Sequence, residues 1–189
     1  MKLNEVLEKR HCIRKFKKNK KVSFKEIGDI LDSVRYAPCA GGIFTVKVIV
    51  IDQKELKDKI ADACLGQTFI ADAPYLLVVC SDMEQINKSY GKRAEMYARQ
   101  QAGAAIENML LKLTEIDLAS CWIGAFDDNA IKRAVHAPDS AKIEAVLPIG
   151  YSMEREIPKE KIELRKIIRF NSWKVKWEIS EDKTATGNE

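Results

Sequence analysis

Three short apolar runs, rich in β-branched residues, limit what this chain can fold into. They span residues 45–51, 75–80 and 142–149, and each has the length and composition of a buried strand. Pro74 introduces the second run, and Pro148 and Gly150 are expected to break the third. Helical patterns lie between them. Ser23-Phe24-Lys25-Glu26 has capping-box spacing, after which Ile27, Ile30, Leu31 and Val34 face inward and Pro38 closes the segment. Residues 52–55 start a second helix that carries Leu56, Ile60 and Ala63 as far as Gly66. Residues 93–118 form the longest helical stretch, and residues 129–136 a short one ahead of Pro138. Such alternation suits a parallel α/β sheet and an α+β arrangement alike, so the residues alone leave the topology open.

A chain of 189 residues can bury a real core without disulfides. Its net charge of +4 is mild. Among Lys15, Lys17, Lys18, Lys20 and Lys21 the one interleaved aromatic is Phe16, short of a stacking surface, so that run reads as a solvated face and no nucleic-acid partner is expected. Cys12, Cys39, Cys64, Cys80 and Cys121 are odd in number, scattered and free of any CxxC, which argues against a disulfide framework or a zinc site. No leader-like apolar region opens the chain and no apolar run reaches membrane-spanning length. The expectation is a cytoplasmic protein with reduced thiols and no membrane partner.

Candidate chemistry begins at Arg10-His11-Cys12-Ile13-Arg14-Lys15-Phe16, which follows a short helical pattern of Leu3, Val6 and Leu7. Arg10, Cys12 and Arg14 alternate, so an extended backbone turns all three to one side. Neighbouring guanidiniums repel, and a phosphate between them relieves the repulsion through bidentate hydrogen bonds. Ala37-Pro38-Cys39-Ala40-Gly41-Gly42 lets backbone approach a ligand closely. Residues 67–70 form a linker, and residues 82–91 are polar and read as a mobile connection. Ala102-Gly103-Ala104-Ala105 lets a neighbouring element come near the long helix, at a dimer interface or in a monomer core. Residues 164–170 read as extended, and the end of the chain as a frayed tail.

Taken together in order and spacing, these segments resemble the nitroreductase family of flavin-dependent NAD(P)H oxidoreductases. The resemblance runs from Leu3 to Trp173. It rests on the arginine heptapeptide, Ala37-Pro38-Cys39-Ala40-Gly41, Ala104-Ala105-Ile106-Glu107-Asn108, Cys121-Trp122-Ile123-Gly124-Ala125-Phe126, Pro148-Ile149-Gly150-Tyr151 and the basic pair before Leu164. It implies an α+β fold, a mostly antiparallel sheet flanked by helices, in an intertwined homodimer with FMN at the interface. Residues 1–177 would form one domain and 178–189 a flexible tail. By position, Arg10 corresponds to the residue holding the FMN phosphate, with His11 and Cys12 lining the same stretch. Arg14 corresponds to the cation at the pyrimidine edge of the isoalloxazine. Pro38, Cys39 and Ala40 match the loop lent by the partner subunit, and Gln67 a polar residue that hydrogen-bonds the ring. Trp122, Ile123, Gly124 and Ala125 match the segment that gives an N–H to N5. Lys159 and Lys161 match the pair completing the phosphate site. The family commonly has Ser where Cys12 stands, and a Pro-Ser-Ala-Gly-Asn loop where this chain has Pro38-Cys39-Ala40-Gly41-Gly42.

The implied activity is a ping-pong transfer from NADH or NADPH, through FMN, to a small-molecule electron acceptor such as a nitroaromatic or quinone. No GxGxxG follows a strand, which fits a donor and acceptor sharing one pocket. No catalytic side chain is named, because the cofactor carries the hydride chemistry. Reductive dehalogenation, flavin fragmentation and non-catalytic or redox-sensing FMN binding are the alternatives.

Overall fold

Strand β2 (Tyr75–Asp82) runs through the middle of the computed structural model, which describes residues 1–154 and 161–176. It pairs antiparallel with β1 (Val46–Ile51) on one side and β3 (Ala141–Ile149) on the other. The sheet order is β1-β2-β3, so the parallel alternative is excluded. Leu76, Leu77, Val78 and Val79 are all fully buried. Both faces of the central strand are covered, and that is why its sequence shows no polar alternation.

Two helical layers do the covering. On one face Leu76, Val78 and Cys80 meet Ile60 of α3 (Lys54–Ala63) and Ile131 of α6 (Asp128–Val135). On the other, Leu77 and Val79 meet Ile27 and Ile30 of α2 (Phe24–Val34) and Ala105, Ile106 and Met109 of α5 (Ala94–Glu115). Helix α1 (Leu3–Lys9) precedes the arginine heptapeptide. The capping box is realised in full: the Ser23 N–H donates to Glu26 Oε2 at 2.7 Å, and the Glu26 N–H to Ser23 Oγ at 3.2 Å.

Three local expectations are corrected. Residues 82–91 are not a loose connection: α4 (Glu84–Tyr90) forms there. Its Ile86 is buried with Met83, Ala94 and Ala98, and Tyr90 packs edge-on to Tyr97 with centroids 5.0 Å apart. Strand β3 also continues through Pro148. The Val146 and Gly150 N–H groups bond to Ile123 and Ala119. Alternate positions share a side, so the missing N–H of Pro148 falls toward that segment and leaves the pairing with β2 intact.

The third correction lies in the second of two compact units, Met1–Glu156 and Ile157–Glu189. Residues 164–170 are not wholly extended, because α7 (Leu164–Ile167) opens them, its side chains Arg165 and Lys166 paired with Glu163. Beyond it, Arg169 and Lys176 form an antiparallel bridge. Lys159 and the expected tail at 178–189 lie outside the described residues.

Candidate functional site

After α1 the chain leaves the helix and runs extended, with Ile13 and Phe16 both buried in the core, each only 2% exposed. Backbone hydrogen bonds hold the extended loop between them. The Ile13 N–H donates to the Ser120 carbonyl at 2.9 Å, and Cys12 and Ser120 form a parallel bridge. The Lys17 N–H donates to Tyr151 at 2.8 Å and the Met153 N–H to Lys15 at 2.9 Å, with Phe16 bridged to Ser152. Residues 119–123 thus lie between β3, through the Ala119–Gly150 and Ile123–Val146 bridges, and the arginine loop.

The charges of the loop act on Cys12. The Cys121 thiol hydrogen-bonds to Cys12 and, with the Trp122 N–H and the Arg14 and Arg10 guanidiniums, lowers the Cys12 pKa to about 5 against the opposing effect of burial. Arg10 Nε is 3.6 Å from Glu107 Oε1 of α5, and the Arg14 N–H donates to Glu154 Oε1 at 2.7 Å. His11 Nδ1 donates to the Lys9 carbonyl at 2.6 Å. Beside the loop, Ile123 is buried while Trp122, Gly124 and Ala125 are exposed, so this backbone segment borders solvent. It ends where the Asp127 N–H donates to Ala63 at the end of α3 and the Asp127 carboxylate caps α6 through the Ala130 N–H. Gln67 follows α3, and its Nε2 donates to the Cys64 carbonyl at 2.9 Å.

The structure does not gather every expected residue in one chain. Tyr75 and Ile149 pair at the arginine-loop end of the sheet, whereas Val46 pairs with Ser81 at the other. Helix α2 begins beside the loop, where Tyr151 Oη donates to Glu26 Oε1 at 2.6 Å, and its 11 residues rise away from it by about 16 Å. Pro38, Cys39 and Ala40 follow at the far end, where Gly41 takes φ 55° and a Cβ would collide with the Tyr90 hydroxyl. Lys161 belongs to the second unit.

A cavity of about 320 Å³ opens beside Arg10, lined among others by Lys9, His11, Lys20 and Ser120. The Ser120 hydroxyl is buried without a hydrogen-bond partner among the described residues. An orphaned hydroxyl in a recess that Arg10, Lys9, Lys17 and Lys20 also line fits the phosphate and ribityl oxygens of FMN. Ser120, Cys121, Glu107 and Glu154 escaped sequence reasoning. The motif around Trp122 includes Cys121 and borders Ser120, and the long-helix motif includes Glu107, but no role attached to them, and nothing local marks Glu154. Among the described residues no cluster of His, Cys, Asp or Glu could hold a metal, and no helix is long and apolar enough to cross a membrane.

The chain is similar in sequence and fold to known proteins. The chain is 29% identical over 174 residues to an FMN reductase [NAD(P)H] of Bacillus subtilis, covering 89% of this chain and 62% of that one. It is 24% identical over 200 residues to an iodotyrosine deiodinase of Thermotoga neapolitana, covering 90% and 98%. Its structure matches an FMN-dependent nitroreductase of Clostridium difficile with a TM-score of 0.77 and 27% identity, over 89% of this chain and 98% of that chain. The α+β fold with its antiparallel sheet is the one these relatives lead one to expect. A model of the nitroreductase family matches residues 7–71 and 64–151, three quarters of the sequence, and the chain belongs to that family.

Proposed function

We propose that this protein is an FMN-dependent oxidoreductase that takes electrons from NADH or NADPH and passes them, ping-pong, to a nitroaromatic, quinone or similar acceptor. One observation supports the reading: the arginine loop is locked beside residues 119–123, so that the Trp122 N–H reaches Cys12, on whose sulfur the Arg10 and Arg14 charges act. FMN, when bound, supplies the hydride chemistry at N5.

The chain's own residues bind and orient. Arg10 grips the phosphate, His11 and Cys12 line its approach, and Ser120 offers its unused hydroxyl. Arg14 holds a fixed positive charge at the pyrimidine edge, where reduction builds negative charge. A cation at ~4 Å is worth about 1 to 4 kcal/mol between bulk water and an effective dielectric of 20. Ile123, Gly124 and Ala125 would lie along the ring; because the Ile123 N–H is committed to the Val146 carbonyl, the N–H for N5 would come from Gly124 or Ala125, with Trp122 at the rim. The Gln67 amide oxygen meets the ring, since its Nε2 is committed to Cys64.

The protein works as a homodimer in the cytoplasm. The Pro38-Cys39-Ala40 turn of one protomer serves the flavin of its partner, which fits its position at the far end of the sheet from its own arginine loop. A second reading, reductive dehalogenation, is supported by the likeness to the Thermotoga deiodinase. Anaerobic and aerobic turnover of NADH and NADPH against a nitroaromatic, a quinone and a halotyrosine separates the two. Reduction of the first two acceptors supports the oxidoreductase reading, and release of halide alone replaces it.

A further inference from the structure

Two of the five cysteines meet beside the arginine loop, although they come from distant segments of the chain. The bridge between Cys12 and Ser120 sets two backbones side by side, and the 2.9 Å bond from the Ile13 N–H to Ser120 fixes their register. Cys121 is the next residue, and its thiol hydrogen-bonds to the Cys12 sulfur. At the usual spacing of paired backbones, about 4.8 Å with a rise of about 3.3 Å per residue, an offset of one residue puts the two Cα atoms about 6 Å apart; the bridge is isolated and belongs to no regular strand, and the contact between the thiols turns the two side chains toward each other there. A disulfide spans a Cα separation of about 4.4 to 6.8 Å.

The other cysteines have different surroundings. Cys64 and Cys80 sit in the core, where burial pushes both thiols up to about 11, and thiols so held are inert. Cys39 is exposed on the turn at the far end of the sheet. Cys12 is half-buried, with two guanidiniums and a backbone N–H acting on its sulfur, and Cys121 lies behind it, only 2% exposed. A reachable nucleophile is thus backed by a sheltered second thiol, the pairing found where a cysteine is oxidised and then resolved.

We propose that Cys12 and Cys121 form an oxidation site at which a hydroperoxide converts the two thiols to a disulfide. The Cys12 thiolate attacks a peroxide oxygen. The S–O bond forms as the O–O bond breaks, and the departing alkoxide or hydroxide takes a proton to leave as alcohol or water. The Cys121 sulfur then attacks the Cys12 sulfenic acid, the S–S bond forms as the S–O bond breaks, and water leaves with the Cys121 proton. The peroxide gains the two electrons that the two sulfurs lose. The disulfide ties the arginine loop covalently to the strand that leads into Trp122, and it removes the thiolate charge between Arg10 and Arg14.

Nucleophilicity falls with basicity, so the advantage of Cys12 over an ordinary thiol is small at neutral pH and grows in acid. At pH 5.5 an ordinary thiol is ionised to about one part in a thousand, while Cys12, with its pKa of about 5, is mostly thiolate. After allowance for the weaker nucleophile, Cys12 reacts roughly tenfold faster there.

The test treats the purified full chain, its flavin content measured, with a few equivalents of hydrogen peroxide, followed by denaturing thiol titration and peptide mass mapping. The expected result is the loss of two of the five thiols, a mass lower by two hydrogens and one cross-link joining the Cys12 and Cys121 peptides. In Cys121→Ser the Cys12 sulfenic acid persists and is captured by dimedone. Retention of all five thiols, a cross-link through Cys39, Cys64 or Cys80, or over-oxidation of wild-type Cys12 without a cross-link overturns the proposal. The readout is mass and thiol count, so it stands or falls separately from the flavin reading.

Discussion

Gly150 and Phe16 approach so closely that a Cβ on the glycine would stand 3.0 Å from Phe16 Cδ1, and 2.8 Å from Pro74 Cδ. Three segments converge through that gap. Gly150 exchanges backbone hydrogen bonds of 2.8 and 3.2 Å with Ala119, while Phe16 anchors the end of the arginine loop. Gly150→Ala is expected to cost about 1–3 kcal/mol of stability in urea denaturation, because neither the proline ring nor the phenyl ring can retreat. Gly28→Ala is the matched control. Nothing lies within 4 Å of its Cβ position on helix α2, so it should be neutral or stabilising by up to about 1 kcal/mol.

Arg10→Ala should weaken FMN binding by roughly 10- to 100-fold, the equivalent of about 1.5–3 kcal/mol for hydrogen bonds to a charged group. Arg10→Lys should recover part of that loss, since it keeps the charge and gives up the planar fork. Quenching of FMN fluorescence measures both, and unchanged affinity in Arg10→Ala would remove Arg10 from the phosphate site.

Local signals in the sequence were readable where the physics is local. Ser23 and Glu26 make the two bonds their spacing announces, and the alternation of Arg10, Cys12 and Arg14 does bring both guanidiniums to bear on one sulfur. The direction of the strands was not readable, because β2 is buried on both faces and its apolar run carries no alternation. Helix α4 was hidden by its polar composition, with Ile86 alone marking the inward side. What the arginine loop faces was also invisible. The partners Ser120, Cys121 and Glu154 are brought to it by β3 and the strand beside it, and no spacing within the loop encodes them. Only the resemblance to a family supplied Trp122 and its neighbours.

Cys12 makes stability depend on pH with a defined sign. Its pKa of about 5 in the folded protein lies below that of an unfolded thiol, near 8.5. Between those values the unfolded chain binds more protons, so stability rises with pH. The contribution is full above the unfolded value, declines as pH falls and is gone below about 5. Denaturation of wild type and Cys12→Ser at pH 5.5 and 8.5 checks this, and the wild type should gain on the variant at the higher pH.

Gly103 lies on the open side of α5, and a Cβ there would meet nothing within 4 Å. Gly103→Leu should therefore leave the protomer folded, as read by circular dichroism, while shifting the proposed dimer toward monomer in analytical ultracentrifugation. An unaltered dimer would move the interface off this helix face.

The most direct measurement is the visible spectrum of the purified protein with FMN, recorded anaerobically before and after NADH and then NADPH. The account predicts a bound flavin spectrum in wild type that bleaches promptly with at least one nicotinamide. Bound FMN that stays oxidised with both donors would contradict the oxidoreductase reading in favour of flavin binding without turnover, and failure to bind FMN at all would contradict the site itself.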